Sequence, residues 1–177
     1  SIAKSLDITT SQAGFAVVIA QIGYGLGLML LVPLGDLLNK RKLIVSLMVF
    51  AGISQILLSF STTLSTLYLF TLCATFGAIS AQVLIPFASS ISPPESSAAI
   101  VGKLMSGLVM GIILSRTFAG FVSNYWSWEG VYLSSGVITL LFATLMWRKL
   151  PNTQPQSDLN IVSIYQSLFQ IARNNPH

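Results

Sequence analysis

Between Leu43 and Pro94 the chain reads LIVSLMVFAGISQILLSFSTTLSTLYLFTLCATFGAISAQVLIPFASSISPP, 52 residues without a single Asp, Glu, Lys or Arg. About 18 consecutive apolar residues already suggest a helix through a bilayer, so this run is long enough for two. It divides best at Ser59-Phe-Ser-Thr-Thr-Leu-Ser-Thr66, whose clustered hydroxyl side chains suit a turn at a membrane surface better than hydrocarbon. One span is then predicted over about Leu43 to Leu58 and another over about Leu67 to Phe87. The second is closed by Pro86 and Pro93-Pro94, because proline supplies no N–H and bends or ends a helix.

Upstream, Ile8 to Gly35 is also uncharged. A first span is predicted over Ser11 to Val32, opened by Thr9-Thr10-Ser11 as N-cap material and ended by Pro33 and the charged segment Asp36 to Lys42. Downstream, a fourth span runs from about Leu104 to Ser123 and contains Arg116, and a fifth from about Gly130 to Trp147. The expected fold is an all-α membrane protein with five transmembrane helices in residues 1–150. Residues 151–177 form a separate segment, beginning with the polar linker Pro151-Asn-Thr-Gln-Pro-Gln-Ser157. Within it Ile161, Ile164, Tyr165, Leu168, Phe169 and Ala172 recur at helical spacing, which predicts an amphipathic helix on the cytoplasmic face.

Only 8% of the 177 residues are charged and 53% are apolar, against a charged share of about 25% in soluble domains. An ordinary soluble domain is excluded. The net charge of +4 does not point to nucleic acid, because the basic residues sit in short clusters between apolar runs. One cysteine, Cys73, and one histidine, His177, leave no intramolecular disulfide, metal cluster or catalytic triad. No cofactor is expected.

Cytoplasmic loops are enriched in Lys and Arg. Lys40, Arg41, Lys42, Lys103, Arg148 and Lys149 follow spans one, three and five, whereas only Lys4 falls on the opposite side. The N-terminus is therefore expected outside. Tyr125, Trp126, Trp128 and Tyr132 agree, clustering where spans four and five meet at the outer surface. A chain that starts outside without a methionine or a basic leader is expected to follow a further helix upstream, making six in all. The expected location is the plasma membrane, in a bacterium the inner membrane.

Pro33-Leu-Gly-Asp36-Leu-Leu-Asn-Lys-Arg-Lys42, set between two spans, closely resembles the helix 2 to helix 3 loop of the major facilitator superfamily, G-x-x-x-D-R-x-G-R-[RK]. Asp36 and Lys40-Arg41 match, while Val32, Leu37 and Asn39 stand in place of the first glycine, the first arginine and the second glycine. Asn39 is expected to take the left-handed backbone of a tight turn. Gly111-Ile-Ile-Leu-Ser115-Arg116-Thr-Phe-Ala119-Gly120 is similar to the antiporters' helix 5 signature, G-x-x-x-G-P-x-x-G-G, with Ser and Arg in place of Gly-Pro. In the third span Gly77 is present, but Cys73 stands where the family carries an arginine. The resemblance implies helices 2 to 6 of an N-terminal six-helix half, with helix 1 and the C-terminal half of the transporter as partners. It further implies alternating access and the proton-coupled export of a drug or metabolite, with protons, a small-molecule substrate and the lipid bilayer as the other partners. Sugar or organic-anion transport, and a non-transporting truncated membrane component, are the alternatives.

The candidate gating loop is Asp36, Lys40, Arg41 and Lys42. Arg116 is a candidate for substrate binding or coupling, since a guanidinium in a membrane helix costs about 2.5–3.5 kcal/mol on insertion scales and is seldom placed there without a cavity or partner. It lies about 18 Å from Leu104, past the midplane, and its partner would be a substrate anion, backbone carbonyls or an acid elsewhere. Thr71, Thr75, Gln82 and Pro86 share one helical face in the third span, as Gln21 and Tyr24 do in the first. These residues either line a polar pathway or bond neighbouring helices. Gly23 and Gly27, Gly107 and Gly111, with Gly77 and Gly120, are the candidate helix-packing glycines. The first two pairs would mark inverted repeats. Enzyme chemistry is not expected, because no Asp, Glu, His or Lys lies within a span to act as acid or base. Gly102-Lys103 is followed by Leu104 and makes no phosphate loop.

Overall fold

The computed structural model describes residues 9–152 and, within its first helix, only the backbone of residues 10, 13 and 32–37. The linker beyond residue 152 and its amphipathic helix lie outside the described residues. Six α-helices follow one another: α1 (Thr10–Leu37), α2 (Lys40–Ser59), α3 (Leu64–Gly77), α4 (Ser80–Ser90), α5 (Pro94–Tyr125) and α6 (Trp128–Lys149). No strand occurs among the described residues. Taken together, α3 and α4 make one crossing, Leu64–Ser90, so five segments are long and apolar enough to span a bilayer.

Local chemistry sets each boundary. Thr9 and Gln12 form a reciprocal cap on α1, the Gln12 N–H donating to Thr9 Oγ1 (3.2 Å) and the Thr9 N–H to Gln12 Oε1 (3.0 Å). Contrary to the expected stop at Pro33, α1 continues to Leu37. A proline removes one backbone donor, and a membrane helix tolerates that loss. Asn39 is not left-handed either; with φ −59° and ψ 108° it caps α2, its side chain accepting from the Lys42 N–H at 3.1 Å. As a result Lys40, Arg41 and Lys42 form the first turn of α2 instead of a loop. The hydroxyl-rich turn is shorter than expected, since Ser59 ends α2 and Thr63 and Thr66 make a capping box on α3.

The third crossing is not one helix. At Ala78 the N–H is shared between the carbonyls of Ala74 (3.1 Å) and Thr75 (3.2 Å), and α4 starts two residues later. Gly77, a poor helix former, sits at this break with no room for a side chain: a Cβ there would meet the Ala51 N and Leu47 O of α2, both at 2.8 Å. Pro86 inside α4 then removes the donor that the Gln82 carbonyl would have had. The helix that holds the fourth span begins ten residues before Leu104. Pro94 begins α5, where a missing N–H costs nothing, and Lys103 is therefore a helical residue.

Packing is uneven. The broadest interface joins α2 to α6, followed by α1 with α3 and α2 with α3. Leu31, Leu43, Ile44, Leu47, Ile79 and Phe87 form the main buried cluster, on the side of the bundle that carries the α1–α2 turn. By contrast α5 has no buried residue, and it lies against α4 and α6 alone to any extent.

Candidate functional site

Two polar residues that the sequence places in separate spans meet between α1 and α4. Gln82 Nε2 donates to Tyr24 Oη at 2.8 Å, both side chains being half-buried. Tyr24 is at the middle of α1, far from either end of a 28-residue helix. Glycines bring the helices this close. A Cβ on Gly23 would strike Thr75 Oγ1 and come within 2.7 Å of the Leu72 carbonyl, and one on Gly27 would lie 2.5 Å from Ile79 Cγ1. Helices in lipid associate through such close approach, because the apolar solvent gives no hydrophobic push. The break at Ala78 lets fully buried Ile79 fill the notch at Gly27, and Gln82 follows one turn later.

The chemistry of the pair is neutral. Tyr24 Oη accepts from Gln82 and no described residue takes its proton; Gln82 Oε1 has no described donor. One donor and one acceptor side by side can bind a hydroxyl, amide or carboxyl group. Thr75, on the same face, spends its hydroxyl on the Thr71 and Leu72 carbonyls (2.9 and 3.1 Å). Gln21 is exposed one turn away on α1, and Pro86 is exposed on α4.

Arg116 is not brought to this pair. It is exposed on α5, and no described residue supplies it with a hydrogen bond, ion pair or carbonyl. The packing glycines divide in the same way. Gly23, Gly27 and Gly77 sit at tight crossings, whereas Gly107, Gly111 and Gly120 have no neighbouring atom within 4 Å. Two tight glycines escaped the sequence reading. A Cβ on Gly136 would lie 2.8 Å from the Gly52 carbonyl, and one on Gly52 would lie 3.1 Å from the Gly136 carbonyl. Gly52 is the one glycine in its span and Gly136 is six residues from Gly130, so neither makes a GxxxG pattern, and only their mid-span position could have singled them out.

At the basic end, half-buried Arg41 reaches α6. Its guanidinium donates to the Trp147 carbonyl and lies 4.6 Å from the centroid of the Trp147 ring. That carbonyl belongs to the last turn of α6, where no backbone donor follows. Asn39 Nδ2 donates to Asn152 Oδ1 at 2.7 Å, making a second tie between the same segments. Lys40 is half-buried and Lys42 exposed. Asp36 lies on the final turn of α1, its side chain outside the described residues. No group of three His, Cys, Asp or Glu side chains converges among the described residues.

Five segments long and apolar enough to cross a bilayer define a multi-pass membrane protein, with a polar pair between closely packed helices and a basic turn docked at one end. Residues 1–176 match the Major Facilitator Superfamily, and the chain belongs to it. It is 36% identical over 175 residues to the uncharacterized transporter YgaY of Escherichia coli O157:H7, covering 99% of this chain and 44% of that protein. It is 28% identical over 138 residues to a "probable transporter" of Streptomyces coelicolor, covering 78% of this chain and 32% of that protein. An uncharacterized transporter of Buchnera aphidicola is 22% identical over 153 residues, covering 85% and 37%. The chain thus spans less than half the length of these curated relatives.

Proposed function

We propose that the chain forms helices 2 to 6 in the N-terminal half of a secondary transporter, which moves a small molecule by alternating access and is completed by a first helix and a C-terminal half. The observation that carries this reading is the Tyr24–Gln82 hydrogen bond at 2.8 Å. A polar pair at mid-depth, on helices that close glycine contacts hold together, supplies half of a ligand site; superfamily sites lie between repeats near the midplane. The whole protein acts by proton-coupled export of a drug or metabolite, as the helix 5 similarity suggests. A second reading, transport of an organic anion, is favoured by the exposed Arg116.

Reconstitution of the full-length protein in liposomes tests both. With an imposed proton gradient and an internal pH dye, one solute from a panel of neutral, cationic and carboxylate-bearing compounds should produce saturable proton movement. If only carboxylates do so, the organic-anion reading replaces the drug-export one. Gradient-independent behaviour across the panel would set proton coupling aside.

The basic end, with Lys42 and Lys149, faces the cytosol of a cell whose plasma membrane holds the protein. In a background with Cys73 replaced, Lys149→Cys should resist an impermeant thiol reagent added to intact cells. Labelling from outside would reverse the orientation.

A further inference from the structure

Beside the Arg41–Trp147 contact, an open groove of about 290 Å³ runs between α2 and α6, lined by Val45, Val49, Ala143, Thr144, Trp147 and Arg148. Val45 and Val49 are one turn apart on α2, and Ala143, Thr144, Trp147 and Arg148 occupy two successive turns of one face of α6, so the lining is apolar along its length and cationic at its mouth. The volume is at the lower limit for a pocket that holds a drug-sized molecule. Ala143 and Val45 are buried at its floor, while Thr144, Trp147 and Arg148 are exposed at its rim.

We propose that this groove binds a net-anionic phospholipid, with one acyl chain against Val45, Val49 and Ala143 and the phosphate at Arg148. Three observations carry the assignment. The lining holds one cation and no acid. Arg148 has no hydrogen bond or ion pair with a described residue, although Arg41, one residue from the start of α2, is committed to Trp147. Arg148 also stands in the last turn of a span beside an exposed tryptophan, the pairing that marks headgroup level. Between membrane helices, a basic pocket on the cytoplasmic side suits an anionic head group, and an apolar cleft open to lipid is filled by acyl chains. Lys149, next in sequence, adds a second positive charge at the same level. The inference rests on membrane residence and on the proposed cytoplasmic side of the basic end, and not on transport, so a failed transport assay leaves it standing.

Native mass spectrometry of the full-length protein in detergent, titrated with palmitoyl-oleoyl phosphatidylglycerol, reads the binding directly. One saturable lipid per chain is expected, bound at least several-fold more tightly than palmitoyl-oleoyl phosphatidylcholine. Arg148→Gln should weaken it about tenfold, the usual worth of a charge-assisted hydrogen bond. Thr144→Phe, which fills the groove from its exposed rim, should weaken it comparably. Lys103→Gln removes a charge from α5 outside the groove and should change little. Inorganic phosphate should neither bind nor compete. Unchanged affinity in Arg148→Gln, equal loss in Lys103→Gln, equal affinity for phosphatidylcholine, or competition by inorganic phosphate would each overturn the assignment. If Thr144→Phe does not fold, Arg148→Gln decides alone.

Discussion

Gly136→Leu should remove most of the folded protein. The first side-chain carbon alone would lie 2.6 Å from Ile56 Cγ1 and 2.8 Å from the Gly52 carbonyl oxygen. A backbone oxygen cannot rotate aside, so α2 and α6 would have to separate along the broadest interface in the bundle. That separation loosens Ala143, which is fully buried, and Val45 beside it. Overpacking of this kind typically costs about 1–3 kcal/mol, and a loss of about 1–2 kcal/mol is enough to change a protein's abundance in cells several-fold. On detergent size-exclusion chromatography the monodisperse peak should fall several-fold. Gly102→Leu, at a glycine with nothing within 4 Å, should leave it intact. A full peak from Gly136→Leu would mean that the helices do not cross this closely in the membrane.

Arg116→Ala should reduce transport by the full-length protein about a hundredfold while leaving expression and detergent stability near those of the parent, the size of loss expected when one side of a desolvated charge pair is removed. The reason for the clean separation is structural. Arg116 is exposed on a helix with no buried residue, and nothing described depends on it for a hydrogen bond. Arg116→Lys should restore little if the substrate is held by a planar, two-pronged donor. Full transport by a well-expressed Arg116→Ala protein would remove the arginine from the mechanism; loss of expression in both variants would make it a structural residue.

The crossings were legible because lipid imposes a simple demand: long uncharged runs such as Leu43 to Pro94 have few folded alternatives. Their ends were less legible. Prolines at 33 and 94 read as stops, yet one lies inside α1, where a membrane helix tolerates the carbonyl left without its donor, and the other opens α5, where the first N–H has no helical partner to lose. The division of the third crossing at Ala78 depends on Gly77 packing against α2, a tertiary fact with no local sign. In the candidate site, Tyr24 and Gln82 could be named from polarity at helical spacing, but their pairing required the parallel approach of α1 and the third crossing through Gly23 and Gly27. The docking of Arg41 on Trp147 was hidden for a similar reason: a cation beside Lys40 and Lys42 reads as a topology marker until its neighbour 106 positions away is seen.

Thirty-two residues of continuous helix make α5 about 48 Å long, against a hydrocarbon core of about 30 Å. Even at a tilt of about 40°, the steep end of what membrane helices adopt, it still reaches about 37 Å along the bilayer normal, so some of it must stand clear of the lipid tails. Its Pro94 end, with Glu95, Ser96 and Ser97, is the end suited to water. There the Ser89–Ser97 hydroxyl contact at 2.7 Å fastens it to α4, the short helix that carries Gln82 near its other end. Mechanically α5 is a lever arm. A swing of about 10° about its midpoint would carry Pro94 through about 4 Å and draw on α4 through the Ser89–Ser97 contact, so a small rotation at the depth of the lipid tails becomes a stroke of atomic size in the aqueous phase.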